Sequence, residues 1–191
     1  MIYAGFWRRF AALCLDLLVM SPLLGLALWG QEHFRLFDLY YFIPSTAFGF
    51  FYSVYLVQRF GGTPGKRLMR VSIVKVSGEP VTYREACLRY FPEWILGIAT
   101  SIALMIAAFQ LTDSQYFSAT SLMERTKLIT SSAPSWYGPI QFVLNIWVWS
   151  ELVVMLTNKK RRAIHDFIAG TVVIEDAQLA APWDAPQAAR P

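Results

Sequence analysis

An aspartate stands inside an apolar run near the start of the chain. Between Phe10 and Gly30 ("FAALCLDLLVMSPLLGLALWG") the one charged residue is Asp16. A lone carboxylate in a bilayer costs about 2.5–3.5 kcal/mol on insertion scales. Asp16 therefore needs a group on another helix, a bound cation, water or a proton. Three roles follow: a structural partner that fixes helix packing, a carrier of a cation or proton, or a contact site for another protein.

An arginine lies seven residues before this aspartate. On a helix Arg9 and Asp16 share one face, about 10 Å apart along the axis. Helical side chains lean towards the N-terminus, so Arg9 points to the end of the helix, away from Asp16. We therefore expect Arg9 to pair with Asp166, which follows a basic cluster at the same membrane boundary.

Composition indicates a membrane protein. Of 191 residues, 55% are hydrophobic and only 16% are charged, against about 25% charged in soluble domains. The net charge of +4 does not indicate nucleic acid, because its distribution follows membrane topology. Two cysteines and two histidines cannot build a disulfide framework or a His/Cys metal site, and no cofactor is implied. No catalytic set can be argued, so we do not expect an enzyme.

Four segments are long enough to cross the roughly 30 Å hydrocarbon core. Since only helices or closed barrels satisfy the backbone in lipid, the sequence predicts an all-α membrane protein with an antiparallel four-helix bundle. Asp16 argues against a cleaved signal peptide over the first segment. The predicted spans are residues 10–30, 39–58, 91–111 and 138–157.

The distribution of Lys and Arg predicts the orientation. The loop 59–90 carries seven such residues, whereas the loop 112–137 carries two. By the positive-inside rule both termini are cytoplasmic and 112–137 is the outer loop. We expect a protein of a bacterial inner membrane, with a membrane domain at 1–176 and a disordered Ala/Pro-rich tail at 177–191.

The cytoplasmic loop begins with a turn, "GGTPGKRLMR". Thr63 is a candidate N-cap with Pro64 at the first helical position. Alternating β-branched residues predict strands at 71–76 and 171–175, which form a small platform and are candidates to pair with each other. Thr82 has capping-box spacing to Glu85, which predicts a short helix ending at Tyr90.

Other polar residues lie in or beside the spans. We favour interhelical hydrogen bonds over a pathway lining for them. Glu93 is expected to pair with Arg89, four residues earlier, and His165 is expected at the surface, with a proton relay as the alternative. The basic run is expected to contact anionic lipids. The polar candidates are Gln141, Asn145, Glu151 and Glu93, and the basic run is Lys159, Lys160, Arg161 and Arg162.

Three stretches, "WRRFAALCLD", "GGTPGKRLMRVSIVKV" and "RRAIHDFIAGTVVI", together resemble the RDD family of membrane proteins over most of residues 4–176. The family is named for an arginine at the start of its first span, an aspartate within it and a later aspartate. The resemblance places these on Arg9, Asp16 and Asp166. It implies transport of a small solute or ion, and assigns no role to Glu93, Glu151 or the outer loop. The family's glycine-lysine turn matches Gly62, Thr63, Gly65 and Lys66.

Two hypotheses follow. In the first, the protein takes part in ion or small-solute transport, with Asp16 as the ionisable group and with Arg9 and Asp166 as a gate or brace. A four-span chain is small for a transporter working alone, so this hypothesis includes a homo-oligomer. In the second, the three charges form a structural network in a non-transporting scaffold that docks a membrane-protein partner.

Overall fold

The structure is a computed structural model that describes residues 2–175, so the predicted tail lies outside the described residues. The chain is mostly helical, with two short strands. In chain order the elements are α1 (Phe6–His33), α2 (Phe37–Phe50), a π-helical segment (Phe51–Tyr55), α3 (Leu56–Phe60), α4 (Pro64–Leu68), β1 (Val71–Lys75), α5 (Tyr83–Gln110), α6 (Asp113–Ser118), α7 (Leu122–Ser131), α8 (Tyr137–Thr157), α9 (Ile164–Ala169) and β2 (Thr171–Glu175).

Three helices, α1, α5 and α8, are long and apolar enough to cross a membrane. Much of their apolar surface is not covered by the protein itself. Leu18 on α1 and Phe142 and Trp149 on α8 are each about two-thirds exposed. In water such surface would be costly, whereas lipid chains cover it without penalty. The helices therefore belong to a membrane protein.

The second predicted span is not one regular α-helix. The run from Phe37 to Phe60 is helical throughout, but it is divided into α2, the π-helical segment and α3. The π-helical segment widens the turn, because its hydrogen bonds reach one residue further than those of an α-helix. Within residues 2–175, three single helices are long and apolar enough to cross a membrane, and a fourth regular spanning helix is not confirmed.

The predicted short helix ending at Tyr90 is wrong, because it continues into the third span as the single helix α5. Its start is as expected. The carboxylate of Glu85 accepts a hydrogen bond from the Thr82 backbone N–H at 2.9 Å. Pro92 lies inside the helix without ending it, a situation that membrane helices tolerate.

The two predicted strands do pair. β1 and β2 are antiparallel, with Ile73 opposite Val173. Their inner face contributes to a buried apolar cluster that also contains Ala4, Val54 and Val57. This cluster joins the platform to the start of α1 and to the run that follows α2. The cluster holds both ends of the described segment, residues 2–175, against the same end of the helical bundle.

The predicted outer loop, residues 112–137, contains the short helices α6 and α7 at the end of the bundle opposite the platform. The buried Tyr116 of α6 donates a hydrogen bond from its hydroxyl to the carbonyl of Gln31 in α1, at 2.8 Å. Arg35 bonds Asp113 at 2.5 Å. These contacts fasten the loop to the bundle, far from the residues of the candidate site.

Candidate functional site

The partner of Asp16 is the turn motif "GGTPGK" (residues 61–66). α4 packs against α1, and Asp16 is buried, with 9% of the residue exposed. It accepts hydrogen bonds from the Tyr52 hydroxyl at 2.5 Å, the Thr63 hydroxyl at 2.6 Å and the Gly65 backbone N–H at 2.7 Å. Three elements that are distant in sequence thus meet at one carboxylate.

Local sequence explains this convergence. A Cβ on Gly65 would lie 2.1 Å from the Ala12 carbonyl oxygen, so only glycine lets α4 approach α1 this closely. Tyr52 belongs to the π-helical segment. Thr63 occupies the N-cap position of α4 with Pro64 after it, as predicted. Its hydroxyl makes no capping hydrogen bond and donates to Asp16 instead. A carboxylate with three donors is well satisfied in a buried site.

Asp166 is the centre of a second cluster and is fully buried. The predicted pair with Arg9 is confirmed, at 3.3 Å. The carboxylate also accepts hydrogen bonds from the Thr171 hydroxyl and the Ala163 backbone N–H, each at 3.0 Å. A second cation, Arg89, contacts it as well. The loop after α8 is therefore bound to α1 and α5 through one carboxylate.

Arg89 is a site residue that sequence reasoning assigned wrongly. It forms no ion pair with Glu93 among the described residues. Its guanidinium contacts Asp166, donates to the Thr171 hydroxyl at 2.7 Å and donates to Nε2 of His165 at 2.7 Å. The i,i+4 spacing allowed the Glu93 pair, but the buried carboxylate of Asp166 competes for the same guanidinium.

His165 is not the surface residue expected from the sequence. Arginine can only donate, so Nε2 of His165 accepts from Arg89 and the proton of a neutral ring lies on Nδ1. Nδ1 in turn contacts the carboxylate of Glu151 on α8. A chain of contacts thus runs from Asp166 through Arg89 and His165 to Glu151.

The remaining polar predictions have mixed outcomes. Gln141 on α8 donates to the Thr100 hydroxyl of α5 at 3.4 Å, which is an interhelical hydrogen bond. Asn145 bonds the Gln141 carbonyl of its own helix, so the expected interhelical bond is wrong for it. Arg162 turns inward and donates to the Asp166 and Thr171 carbonyls at 2.7 and 3.0 Å. The exposed members of the basic run are Lys159, Lys160 and Arg161.

A cavity of about 460 Å³ lies between these two clusters, and we call it the charged cavity. Its lining combines apolar residues of α1 and α8 with polar residues that include Lys66 of α4 and Glu93 of α5. Within residues 2–175, neither Lys66 nor Glu93 has a hydrogen bond or ion pair with another side chain. The acidic and basic side chains that line the cavity are Arg9, Asp16, Lys66, Arg89, Glu93, Glu151 and His165.

The surroundings of Lys66 disfavour its charged form. Burial lowers the pKa of Lys66, and the nearby charge of Arg89 lowers it further, while Asp16 and Asp166 act in the opposite direction. An ammonium group in this position gains from any anion that enters the cavity, and releases its proton more readily than an exposed lysine. No group of three or more His, Cys, Asp or Glu side chains within 2–175 is arranged to hold a metal ion.

The buried carboxylate of Asp166 predicts a pH dependence of stability. Burial alone would raise the pKa of Asp166, but the charges of Arg89 and Arg9 hold it below its usual value. A lowered folded-state pKa contributes stability above the unfolded pKa of about 3.9, and this is lost as pH falls through the folded value. We expect the thermal-stability advantage of wild type over Asp166→Asn to be constant between about pH 7 and 5 and to shrink below about pH 4.

Thermal unfolding in detergent across this pH range measures that advantage. A decline already complete between pH 7 and pH 5 would contradict the assignment, because a carboxylate whose pKa is lowered stays ionised throughout that window.

No curated protein and no solved structure matches the chain. A family model described as "RDD family" matches residues 3–170, which is most of the chain and includes every residue of both carboxylate clusters except Thr171. The chain belongs to the RDD family.

Proposed function

We propose that this protein carries a small ion or solute across a bacterial inner membrane, and that the charged cavity is where the ion or solute binds. The observation that supports this most is the pair of ionisable side chains, Lys66 and Glu93, that line the cavity without a partner of their own in residues 2–175. Groups that served only the fold would be paired, as Asp16 and Asp166 are.

The proposal includes four membrane crossings with both termini in the cytoplasm. The helical run from Phe37 to Phe60 is long enough to supply the fourth crossing beside α1, α5 and α8. The platform, the turn motif and the basic run all lie at the same end of the bundle. The Lys/Arg excess of these segments supports a cytoplasmic position for that end, and for the mouth of the cavity.

Asp16 and Glu93 have different parts in this proposal. Asp16 already accepts three hydrogen bonds, which supports a structural role for it. Glu93 is the carboxylate that is free to exchange a proton or a cation. Arg9 and Asp166 brace the cytoplasmic side. Four helices are too few to enclose a pathway alone, so a homo-oligomer would complete it.

The decisive variant is Glu93→Gln, tested in liposomes that contain a pH-sensitive dye, with Na⁺, K⁺ or Li⁺ added outside in turn. We expect a cation-dependent pH change with wild type and an initial rate at least about tenfold lower with Glu93→Gln, because the amide cannot exchange the proton. The variant is expected to fold normally, since the Glu93 carboxylate makes no hydrogen bond with the described residues.

Glu32→Gln is the matched control, because Glu32 is exposed near the opposite end of α1. It should retain the wild-type rate. Equal rates for Glu93→Gln and wild type would contradict the role of Glu93.

A scaffold without transport is the second candidate function, and the full pairing of Asp16 and Asp166 favours it. Both carboxylates then serve only to fix the platform against the bundle. The platform in turn docks a membrane-protein partner. Folded wild-type protein without any cation-dependent pH change would contradict proton-coupled transport and favour the scaffold. A partner that co-purifies with wild type, and with Glu93→Gln equally, would support it.

A further inference from the structure

A second cavity, distinct from the charged cavity, lies where the start of α1 meets the end of α8. It measures about 580 Å³, and we call it the surface pocket. The two helix ends place it at the level of the membrane surface. Trp7, which lines it, is 76% exposed, as is typical of tryptophan at the boundary between headgroups and acyl chains.

The surface pocket carries an excess of positive charge. Arg8, Lys159 and Arg161 line it, against the single carboxylate of Glu175. Arg8 pairs with Glu175 at 3.2 Å, which leaves Lys159 and Arg161 without a carboxylate partner among the described residues. The first turn of α1 also forms part of the wall and contains no acidic residue. The pocket is therefore complementary to an anion.

The backbone of Arg161 is fixed beside the pocket, and its guanidinium lines the pocket. The residue has a φ of 49°, an uncommon conformation for a side chain other than glycine. Its carbonyl accepts a hydrogen bond from Arg9 at 2.7 Å, and its own N–H bonds the Asn158 carbonyl at 3.0 Å. The guanidinium lies close over Gly5, where a Cβ would be 2.5 Å from Nη1. The backbone conformation thus directs this charge to the start of α1.

The other wall of the surface pocket is apolar. Met155 and Leu156 on α8 and Phe6 on α1 line it, and Leu156 is 63% exposed on the lipid-facing surface. A phosphate held by the cations would therefore have its acyl chains against α8. We propose that the surface pocket binds an anionic phospholipid, with the phosphate held by Lys159 and Arg161 and the chains packed on Phe6 and Leu156.

This proposal is independent of transport and is narrower than a general attraction of basic residues to anionic lipid. Lys160 supplies the contrast, because it is an exposed member of the same run but does not line the surface pocket. General attraction predicts equal losses for any lysine of the run. A built site predicts losses only at Lys159 and Arg161.

Native mass spectrometry of the purified full-length protein tests the proposal, with phosphatidylglycerol, phosphatidylcholine or inorganic phosphate added separately. We expect phosphatidylglycerol to bind at least about tenfold more tightly than phosphatidylcholine. Arg161→Gln and Lys159→Gln should each weaken it about fivefold, and Lys160→Gln by less than about twofold. Equal weakening by Lys160→Gln, or equal binding of phosphatidylcholine, would overturn the proposal.

Inorganic phosphate distinguishes the lipid from a free anion. We expect millimolar phosphate to leave bound phosphatidylglycerol in place, because phosphate cannot use the apolar wall. Displacement by phosphate alone would show a simple anion site and overturn the assignment to a lipid. Neither Lys159 nor Arg161 donates a side-chain hydrogen bond within 2–175, so both variants should fold and the comparison remains informative.

Discussion

Gly65→Ala is expected to destabilise the protein by about 3–5 kcal/mol, from overpacking together with the loss of buried hydrogen bonds. The added Cβ would lie 2.1 Å from the Ala12 carbonyl oxygen and 2.7 Å from Cγ of Asp16. The first is a backbone atom of α1, which cannot turn aside as a flexible side chain could. α4 would have to move away, and the hydrogen bonds from Thr63 and Gly65 to Asp16 would break.

The measurement is thermal unfolding in detergent, together with the monodisperse fraction in size-exclusion chromatography. Gly97→Ala is the matched control, because Gly97 lies inside α5 with open space around it. That substitution should be neutral or slightly stabilising, since alanine favours helix over glycine. If Gly65→Ala were as stable as Gly97→Ala, α4 would not pack on α1 as described.

The contacts that the sequence predicted correctly are those in which one residue or strand had a single obvious partner. Arg9 and Asp166 are placed at the same boundary by topology, and their opposite charges suffice to predict the ion pair. The segments of β1 and β2 are the two clearest strand-like stretches in a sequence that is otherwise predicted to be helical. Pairing them with each other was therefore the simplest arrangement. In both cases the residue types leave only a few possible partners, for the charge and for the strand.

The partner of Asp16 could not be predicted in the same way. One donor is a backbone N–H, which every residue but proline possesses, and its availability depends on the absence of a side chain at Gly65. Another donor, Tyr52, lies on the π-helical segment, for which the aromatic run gives no periodic signal. Such contacts depend on how closely two elements approach, which spacing along the chain does not reveal.

Local spacing also misled the interpretation of α5. Arg89 and Glu93 are one turn apart, which favours an ion pair on an isolated helix by a few tenths of a kcal/mol. The fully buried Asp166 gains far more from the same guanidinium, because a carboxylate without cations is costly in that position. Arg89 therefore joins the second cluster, and Glu93 is left free at the charged cavity. The long-range pairing is what leaves Glu93 available for transport in the function proposed here.

Asp16 and Asp166 each fix a different part of the charged cavity. Asp16 fixes α4 to α1, which places Lys66 at the cavity, and Asp166 fixes the loop after α8 to α1 and α5, which places His165 there. The lining thus combines paired groups that set its geometry with unpaired groups that can bind. A variant in the first set should act on folding, and a variant in the second set should act on flux.

Asp166→Asn is the clearest test of the paired groups that set the cavity's geometry. It is expected to cost about 3–5 kcal/mol of stability. The substitution keeps the shape of the side chain but removes its charge. Arg9 and Arg89 would then remain with side chains only 13% and 10% exposed and without that counterion. Thermal unfolding at pH 7, with the accumulated amount of protein in membranes, measures the effect.

A surface pair and a double variant separate loss of charge balance from loss of packing. Asp113→Asn breaks the pair with Arg35, but that carboxylate is 74% exposed, so the cost should stay within about 1 kcal/mol. Combining Asp166→Asn with Arg89→Gln removes one of the two stranded cations, and should therefore be less destabilising than the two single effects added together. Strict additivity, or an Asp166→Asn effect no larger than that of Asp113→Asn, would mean that Asp166 does not balance the charge of the arginines.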